Sequence, residues 1–498
     1  MRIWLAALTV PVLVLLPSGS SPTPSPTAGT ADSSASPEPM VQQQPNILVI
    51  SLDDATRQDA RFMPHVQQLL YDKGFHFSRS YSTTPLCCPA RSSMLTGRYA
   101  HNHGVLSNQG DHGGFQAFDD QRTVATMLDQ QEYSTAFIGK YLNGYNDFRY
   151  VPQGWDRWKV PYDGVYNYTE SSLSVNGSQR HVRSNMTRWY AQQSRKFVQT
   201  RAGEPWFLYL SFVAPHDGLP HEVGDTPGVK TPWVQPSDRG TYQGPLRSTS
   251  PAFNEDHICD KRRMICNLLR LKPQRLRTLG EIVSQRRESL QLVDRQIEQL
   301  VETLRSTGQL NETYIFFVSD NGFLTGEHRL MWGELPLRAG GTYHSTGKSS
   351  AYEPAALVPF VVRGPDVPAG QGSSELVGLI DMAPTIAGLA GVGDQPDFDG
   401  VDLLAQMEAG QPPTRLLVLE SFEAKAESED GENYTGIVTS NGWKLVRYGP
   451  GVHELYRLND DPHELRNLDG KPRYHDTQRR LTSLLRRYRD CVGEDCRS

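Results

Sequence analysis

The chain has 498 residues, 37% of them apolar, and a formal net charge of −6. This length supports a large buried core and more than one domain. The modest acidic balance leaves no basic footprint, which argues against nucleic acid as a partner.

Arg2 precedes an apolar run, Ile3 to Leu16. That run is too short to span a bilayer, so residues 1–17 read as a secretory signal. The Ser/Pro/Thr-rich tract over 18–45 reads as a disordered spacer. No other segment suits a membrane span. The expectation is a secreted protein without stable membrane insertion.

Four apolar runs then end abruptly in polar residues. "PNILVISLDD" closes on Asp53 and Asp54, and "YSTAFIGKYLNGY" on Lys140. "PWFLYLSFVAPHDG" closes on His216, and "TYIFFVSDNG" on Asp320 and Asn321. Runs without alternation predict strands buried on both faces, as in a parallel sheet covered by helices. In such sheets working groups gather beyond the carboxyl ends of the strands. Between the runs lie helical patterns. "MPHVQQLLYDKG" ends at Gly74. The stretch from Arg275 carries Leu290, Val293, Ile297, Leu300 and Leu304 at helical intervals and stops at Gly308.

The pattern predicts an α/β catalytic domain over 46–410, a mostly parallel sheet sandwiched by helices. After "AGQPPTR" the composition shifts. Short strands joined by Asn-Gly and Gly-Pro-Gly turns, then a helix near Asp476–Tyr488, predict a smaller antiparallel α+β subdomain over 411–498.

In an oxidising compartment, Cys259–Cys266 and Cys491–Cys496 are the natural local pairings. Cys87 and Cys88 remain. Zinc is disfavoured, since no second Cys or His pair stands at the required spacing.

Asp53, Asp54, Asp320 and Asn321 are hard oxygen donors. Carboxylates brought together repel unless a cation lies between them. Without accompanying His or thiolate at metal spacing, the set favours Ca²⁺, or Mg²⁺, over zinc. Each motif alone also suits an ordinary helix cap or turn. "ARSSMLTGR" predicts a short helix ending at Gly97. Cys87 is placed just before it, near the positive end of the helix dipole, with Arg91 reaching back over the same spot.

Cys87-Cys88-Pro89-Ala90-Arg91 followed by Leu95-Thr96-Gly97-Arg98 closely resembles the sulfatase signature. Asp53-Asp54, Lys140, His216, Asp320-Asn321 and Lys348 follow in the order of that family. The stretches "IGKYLNGY", "VPQGWDRW", "SPAFNED" and "SDNGFLTGEHRL" resemble N-acetylglucosamine-6-sulfatases and their bacterial relatives. The resemblance implies an alkaline-phosphatase/sulfatase-like fold. It implies that Cys87, and not Cys88, is oxidised to formylglycine before folding by a formylglycine-generating enzyme. Cys88 would then be a small buried neighbour. It further implies a metal held by Asp53, Asp54, the modified Cys87, Asp320 and Asn321.

Chemistry agrees with that implication. A thiolate attacking a sulfate ester would end as a stable thiosulfate. A hydrated aldehyde offers one hydroxyl to take the sulfate and a second to expel it. The cation would lower the pKa of the diol. Arg91, Lys140 and Lys348 would hold sulfate oxygens, and His216 would protonate the departing alcohol. His101 and His103, in "AHNHG", are candidates for lining the pocket or for capping a turn.

Two departures stand out. Many arylsulfatases have histidine two residues after the lysine of the Lys140 strand end, where this chain has Leu142; Asn143 is the candidate substitute as a hydrogen-bonding group. Between Trp332 and Lys348, "GELPLRAGGTYHST" is longer than usual, and is expected either to reshape the pocket rim or to displace Lys348. Sequons stand at Asn167, Asn176, Asn185, Asn311 and Asn433. The expected activity is hydrolysis of a sulfated carbohydrate, with the 6-O-sulfate of N-acetylglucosamine as the leading substrate. Competing readings are a broad arylsulfatase, a related phosphodiesterase or phosphonate hydrolase, and a silent extracellular glycan-binding protein.

Overall fold

The computed structural model describes residues 44–242, 248–410, 415–422 and 433–497. The expected signal over 1–17 and nearly all of the expected spacer over 18–45 lie outside the described residues. So does the boundary tract 411–414.

The centre is a ten-stranded sheet. In chain order its strands are β1 Asn46–Leu52, β2 Phe75–Tyr81, β3 Ser134–Gly139, β4 Arg157–Asp163, β5 Glu170–Val175, β6 Ser178–Arg183, β7 Trp206–Ser211 and β8 Thr313–Ser319. After a separate hairpin, β9 Gly333–Pro336 and β10 Thr342–Ser345, come β11 Phe360–Arg363 and β12 Gln371–Gly378. The spatial order is β12-β2-β11-β8-β1-β7-β3-β4-β5-β6. The four runs singled out in the sequence, β8, β1, β7 and β3, are consecutive neighbours, and all pair in parallel. Antiparallel pairing is confined to the flanks, where β11 lies between β2 and β8 and where β5 joins β4 and β6.

Alternate residues of these central strands enter opposite cores, as the pleat requires. Ile47, Val49, Phe137, Tyr209, Phe316 and Val318 pack with Met94, Leu128 and Ile386 from helices on one face. Leu48, Ile50, Ile138, Leu210, Ile315 and Phe317 pack on the other face with Trp189 and with Leu290, Val293, Ile297, Leu300 and Leu304. Those last five lie on the long helix Pro273–Ser306, which ends just before Gly308. Burial on both faces explains why the strands lack a polar alternation. The "MPHVQQLLYDKG" stretch forms a short α-helix, Pro64–Val66, that widens into a π turn over Gln67–Tyr71.

The C-terminal part forms a four-stranded antiparallel sheet, β13 Leu416–Ser421, β14 Tyr434–Thr439, β15 Trp443–Gly449 and β16 Val452–Arg457. The helix His475–Tyr488 covers it with Leu481, Leu485 and Tyr488. This sheet shares one core with Tyr81, Tyr99, Met331 and Tyr352. Buried Lys444 crosses the junction, with Nζ 2.9 Å from Glu353 and 2.7 Å from Glu464. Disulfides join Cys259 to Cys266 and Cys491 to Cys496, while Cys87 and Cys88 are free and buried. No helix among the described residues is long and apolar enough to cross a membrane.

Candidate active site

The carboxyl ends of β8, β1, β7 and β3 meet the helix Cys87–Thr96. Its C-terminus closes at Gly97, φ +70°, whose N–H donates to the Ser93 carbonyl at 2.9 Å. Cys87 is the first residue of this helix, one step further in than expected, and its side chain is fully enclosed. Its Sγ lies 3.6 Å from Asp53 Oδ1, 4.0 Å from Asp54 Oδ1 and 3.2 Å from Lys348 Nζ. Burial pushes the Cys87 thiol up to about 12, so as a thiol it stays protonated near neutrality.

Asp53 and Asp54 follow β1 directly. Asp54 has φ +66°, a region that non-glycine residues seldom occupy. Its N–H donates to Asp320 Oδ1 at 3.0 Å and its carbonyl accepts from Arg286 Nη2, so both backbone groups are held. Such an outlier, fixed by its surroundings, marks a place where geometry matters more than local comfort. Asp320 and Asn321 follow β8. Asn321 Nδ2 donates to Asp54 Oδ1 at 2.7 Å, while its Oδ1 is buried without a hydrogen-bond partner.

Lys140 follows β3 and pairs with Asp53. Gly139 before it allows this approach, because a Cβ there would fall 1.9 Å from the Ser211 carbonyl oxygen. Lys348 Nζ lies 2.8 and 3.0 Å from the two Asp54 oxygens. Arg91 donates from Nε to Asp320 Oδ2 at 2.8 Å, and from Nη1 to the Lys140 carbonyl at 2.8 Å and Ser211 Oγ at 2.7 Å. Its guanidinium ties three strand ends together, and only Nη2 lacks a hydrogen-bond partner.

Burial opposes the charge of Asp53, but Lys140, His216, Arg91 and Lys348 outweigh it and hold the carboxyl well below its usual range. Asp54 is lowered in the same way, against burial, chiefly by Lys348 and His216. Asp320 is pushed up to about 6 by burial and by Asp53.

His216 Nδ1 donates to the Asp217 carbonyl at 2.7 Å, which leaves Nε2 facing Asp54 Oδ2 at 3.7 Å. The imidazole stacks on Tyr166, ring centres 4.4 Å apart, and Lys140 Nζ lies 4.6 Å from the same phenol ring. One donor atom each from Asp53, Asp54, Cys87 and His216 fall within 4.8 Å of one another. The hard oxygens of Asp53, Asp54, Asp320 and Asn321, with the unpartnered Asn321 Oδ1 among them, suit a divalent cation.

The cluster opens into a cavity of about 560 Å³. Asp54, His216, Lys348 and Asn143 line it, together with Tyr166, Asn108, His221, Lys230 and Trp332, which the sequence reading did not single out. Asn143 accepts from the Tyr166 hydroxyl at 3.0 Å, and its N–H donates to Cys88 Sγ at 3.2 Å. Leu142 is buried in the neighbouring core.

The long segment after Trp332 folds as the β9–β10 hairpin. It puts His344 and Thr346 on the cavity rim and leaves Lys348 against Asp54. Of the two expectations for this segment, the rim is the one observed.

His101 and His103 do not line this cavity. His101 turns to Glu420 Oε2, 2.8 Å, and the Cys491 carbonyl, 3.0 Å. His103 faces Ser93 Oγ at 3.1 Å and accepts from the Val105 N–H at 3.1 Å. Both side chains are spent on packing the helix Ala100–His103 against its surroundings.

The chain is similar to known proteins. The sulfatase family model matches residues 45–392, and the model of the N-sulphoglucosamine sulphohydrolase C-terminal region matches 341–490. An extracellular sulfatase SULF-1 homologue from Drosophila melanogaster is 32% identical over 384 residues, 73% of this chain. The match spans 31% of that relative's length, and 49% of a second such relative from Caenorhabditis elegans. Human N-acetylglucosamine-6-sulfatase is 31% identical over 509 residues, 92% of this chain and 86% of the relative. A solved structure in complex with its substrate D-glucosamine-2-N,6-O-disulfate superposes with a TM-score of 0.68 at 22% identity, covering 89% of this chain and 97% of that one. The chain belongs to the sulfatase family.

Proposed function

We propose that this protein is a secreted hydrolase of sulfated carbohydrates, acting on the 6-O-sulfate of N-acetylglucosamine or a closely related sugar. The observation that carries the reading is one juxtaposition. Cys87, at the start of its helix, meets two lysines, a histidine and an Asp-Asp/Asp-Asn set at the ends of four adjacent parallel strands. The human relative's name supports the sugar. In this reading the catalytic domain covers 46–410, with 411–498 as its supporting subdomain.

When present, a formylglycine derived from Cys87 and a Ca²⁺ held by Asp53, Asp54, Asp320 and Asn321 would supply the attacking oxygen and its activation. The remaining work falls to side chains of this chain. Lys348 and Lys140 hold sulfate oxygens and balance the charge that builds on them. Arg91 is a positioning residue through Nε and Nη1, which are engaged by Asp320, the Lys140 carbonyl and Ser211, while Nη2 keeps the capacity to donate. His216 presents Nε2 toward the cavity and delivers a proton to the departing sugar alcohol. The Asp217 carbonyl holds the Nδ1–H, so the proton is given from Nε2 of the doubly protonated ring, which is left as the neutral Nδ1–H imidazole, and the Tyr166 ring fixes its plane.

Mass spectrometry of the Cys87 peptide from natively produced protein, combined with a panel of sulfate and phosphate esters, tests the reading. The expected result is an aldehyde at Cys87, sulfate release from N-acetylglucosamine-6-sulfate, and complete loss of turnover in Cys87→Ala. An unmodified thiol with no turnover would favour the silent glycan-binding alternative. Faster cleavage of phosphate or phosphonate esters would favour the phosphodiesterase one.

A further inference from the structure

The cavity over the reactive cluster does not end at the sulfate position. It continues into a second cavity of about 620 Å³, and the two share Asn108, Gln109, Asn143, Tyr166 and Leu219. Each is within the size range of small-molecule sites.

The second lobe is preformed. On one side, Asn108 Oδ1 accepts from the Cys88 N–H at 2.8 Å, and the Phe115 N–H donates to the Asn143 carbonyl at 2.7 Å. The loop from Ser107 to Phe115 is thereby laid directly on the nucleophile's helix and on the turn after β3. On the other side, the Tyr166 hydroxyl donates to Asn143 Oδ1 at 3.0 Å, and the Leu219 N–H donates to the Tyr166 carbonyl at 2.8 Å.

The two lobes differ in charge. The first is lined by Lys348, Lys230, His216 and His221 beside Asp54 and Asp217. The second has a single charged side chain, Asp163, and no lysine, arginine or histidine among its lining residues. Its other polar groups are the amides of Asn108, Gln109, Gln116, Asn143 and Asn167 and the phenols of Tyr162 and Tyr166. An anionic ring placed there would meet the Asp163 carboxylate with no cation to balance it. A ring carrying hydroxyl or acetamido groups would meet amides that both donate and accept.

We infer that this second lobe is a subsite for an uncharged sugar linked to the sulfated one. The enzyme therefore prefers sulfated oligosaccharides with a neutral neighbour over sulfated monosaccharides, and over chains with a uronate at that position. The inference rests on the function proposed above and specifies the substrate class of the same site.

The test measures kcat/KM for sulfate release by the mature enzyme. The substrates are N-acetylglucosamine-6-sulfate, disaccharides joining it on either side to galactose, the same disaccharides with glucuronate, and an aryl sulfate. Two hydrogen bonds of ordinary net strength correspond to about a tenfold preference for one galactose disaccharide over the monosaccharide. Replacing exposed Gln116 and Asp163 together by alanine should reduce that preference to about one and leave the monosaccharide rate unchanged. Asp163→Lys should shift preference toward the glucuronate disaccharide. The subsite is overturned if no galactose disaccharide outperforms the monosaccharide, if the preference survives the double substitution, or if glucuronate serves the wild-type enzyme as well as galactose. Failure of every sulfate ester, including monosaccharide and aryl sulfate, would sink the proposed function and the subsite with it. Sulfate release without a disaccharide preference would sink the subsite alone.

Discussion

The strand ends and the junction with the C-terminal sheet both bury charge, and they do so differently. At the strand ends, Asp53, Asp54 and Asp320 face Lys140, Lys348, Arg91 and His216, and the group opens on a cavity. At the junction with the C-terminal sheet, Lys444 sits between Glu353 and Glu464, and Glu454 accepts from Tyr352 at 2.9 Å, Tyr456 at 2.9 Å and the Arg262 N–H at 2.8 Å. The second group locks two parts of the fold together. Both are assembled from segments far apart in sequence, and both hold an acidic residue at positive φ, Asp54 at +66° and Glu464 at +54°. The first surrounds the Cys87 thiol and opens on the cavity of about 560 Å³, with Asn321 Oδ1 left without a hydrogen-bond partner. Neither burial of charge nor backbone strain by itself marks function; what marks the first group is the convergence of carboxylates, lysines, a histidine and a thiol on one cavity.

Substitutions at each region should part the two roles. The largest effect is expected for Asp320→Asn, which removes a carboxylate of the proposed cation site: kcat should fall on the order of 10³-fold or more, and chelation of divalent ions should likewise inactivate the wild type. Assays with and without added Ca²⁺ check both. Lys348→Ala should lower kcat on the order of 10²-fold with the smaller fall in the denaturation midpoint, because Asp54 keeps Asn321 and His216 beside it. Lys444→Met should do the reverse. It leaves two buried glutamates uncompensated, at a cost of about 3–5 kcal/mol, while turnover per folded molecule is unchanged. Equal activity loss in both lysine variants would erase the distinction between the regions.

A smaller effect concerns His101. Its two ring nitrogens face two acceptors, Glu420 and the Cys491 carbonyl. Burial works against its charge, but these partners outweigh burial and raise it to about 9. A raised folded-state pKa stabilises fully below the unfolded value near 6.5, and that stabilisation is lost as pH climbs through about 9. The contribution is up to about 3 kcal/mol. Denaturation curves from pH 6 to 10 should show this decline in the wild type and a flatter profile in Glu420→Gln. The smallest effect is expected for Cys88→Ala. The Asn143 N–H loses a weak sulfur acceptor, and kcat/KM should change only a few-fold. Loss of activity in Cys88→Ala with retention in Cys87→Ala would reverse the assignment of the two sulfurs.

Much of the core was legible because its signals are local. A buried parallel strand needs an unbroken apolar run, and a residue just past its end must turn polar as it leaves the sheet. Those two facts made β1, β3, β7 and β8 and their terminal Asp, Lys and His residues readable. Locality decided less at "AHNHG", where lining the pocket and capping a turn both stood open: the helix Ala100–His103 turns one ring toward Glu420 and Cys491, and the other toward Ser93 and the Val105 amide. Tyr166 and Asn108 carried no signal of their own. Each sits in an irregular loop and reaches the site only through tertiary hydrogen bonds to Asn143 and to the Cys88 amide. Arg286 was hidden within an amphipathic helix, where one more arginine reads as solvent-facing, yet it holds the Asp54 carbonyl.

The β9–β10 hairpin carries a last consequence. It leaves after Trp332 and returns before Lys348, and the irregular stretch bearing that lysine is anchored independently. The Leu324 N–H donates to the Gly347 carbonyl at 2.7 Å, and the Ser349 N–H donates to the Pro85 carbonyl at 2.8 Å. The hairpin can thus be lengthened, trimmed or exchanged between lineages while the lysine stays in register. Selection can act on what enters the cleft at one pace and conserve the reactive centre at another, because the covalent chain that joins them is clamped in between.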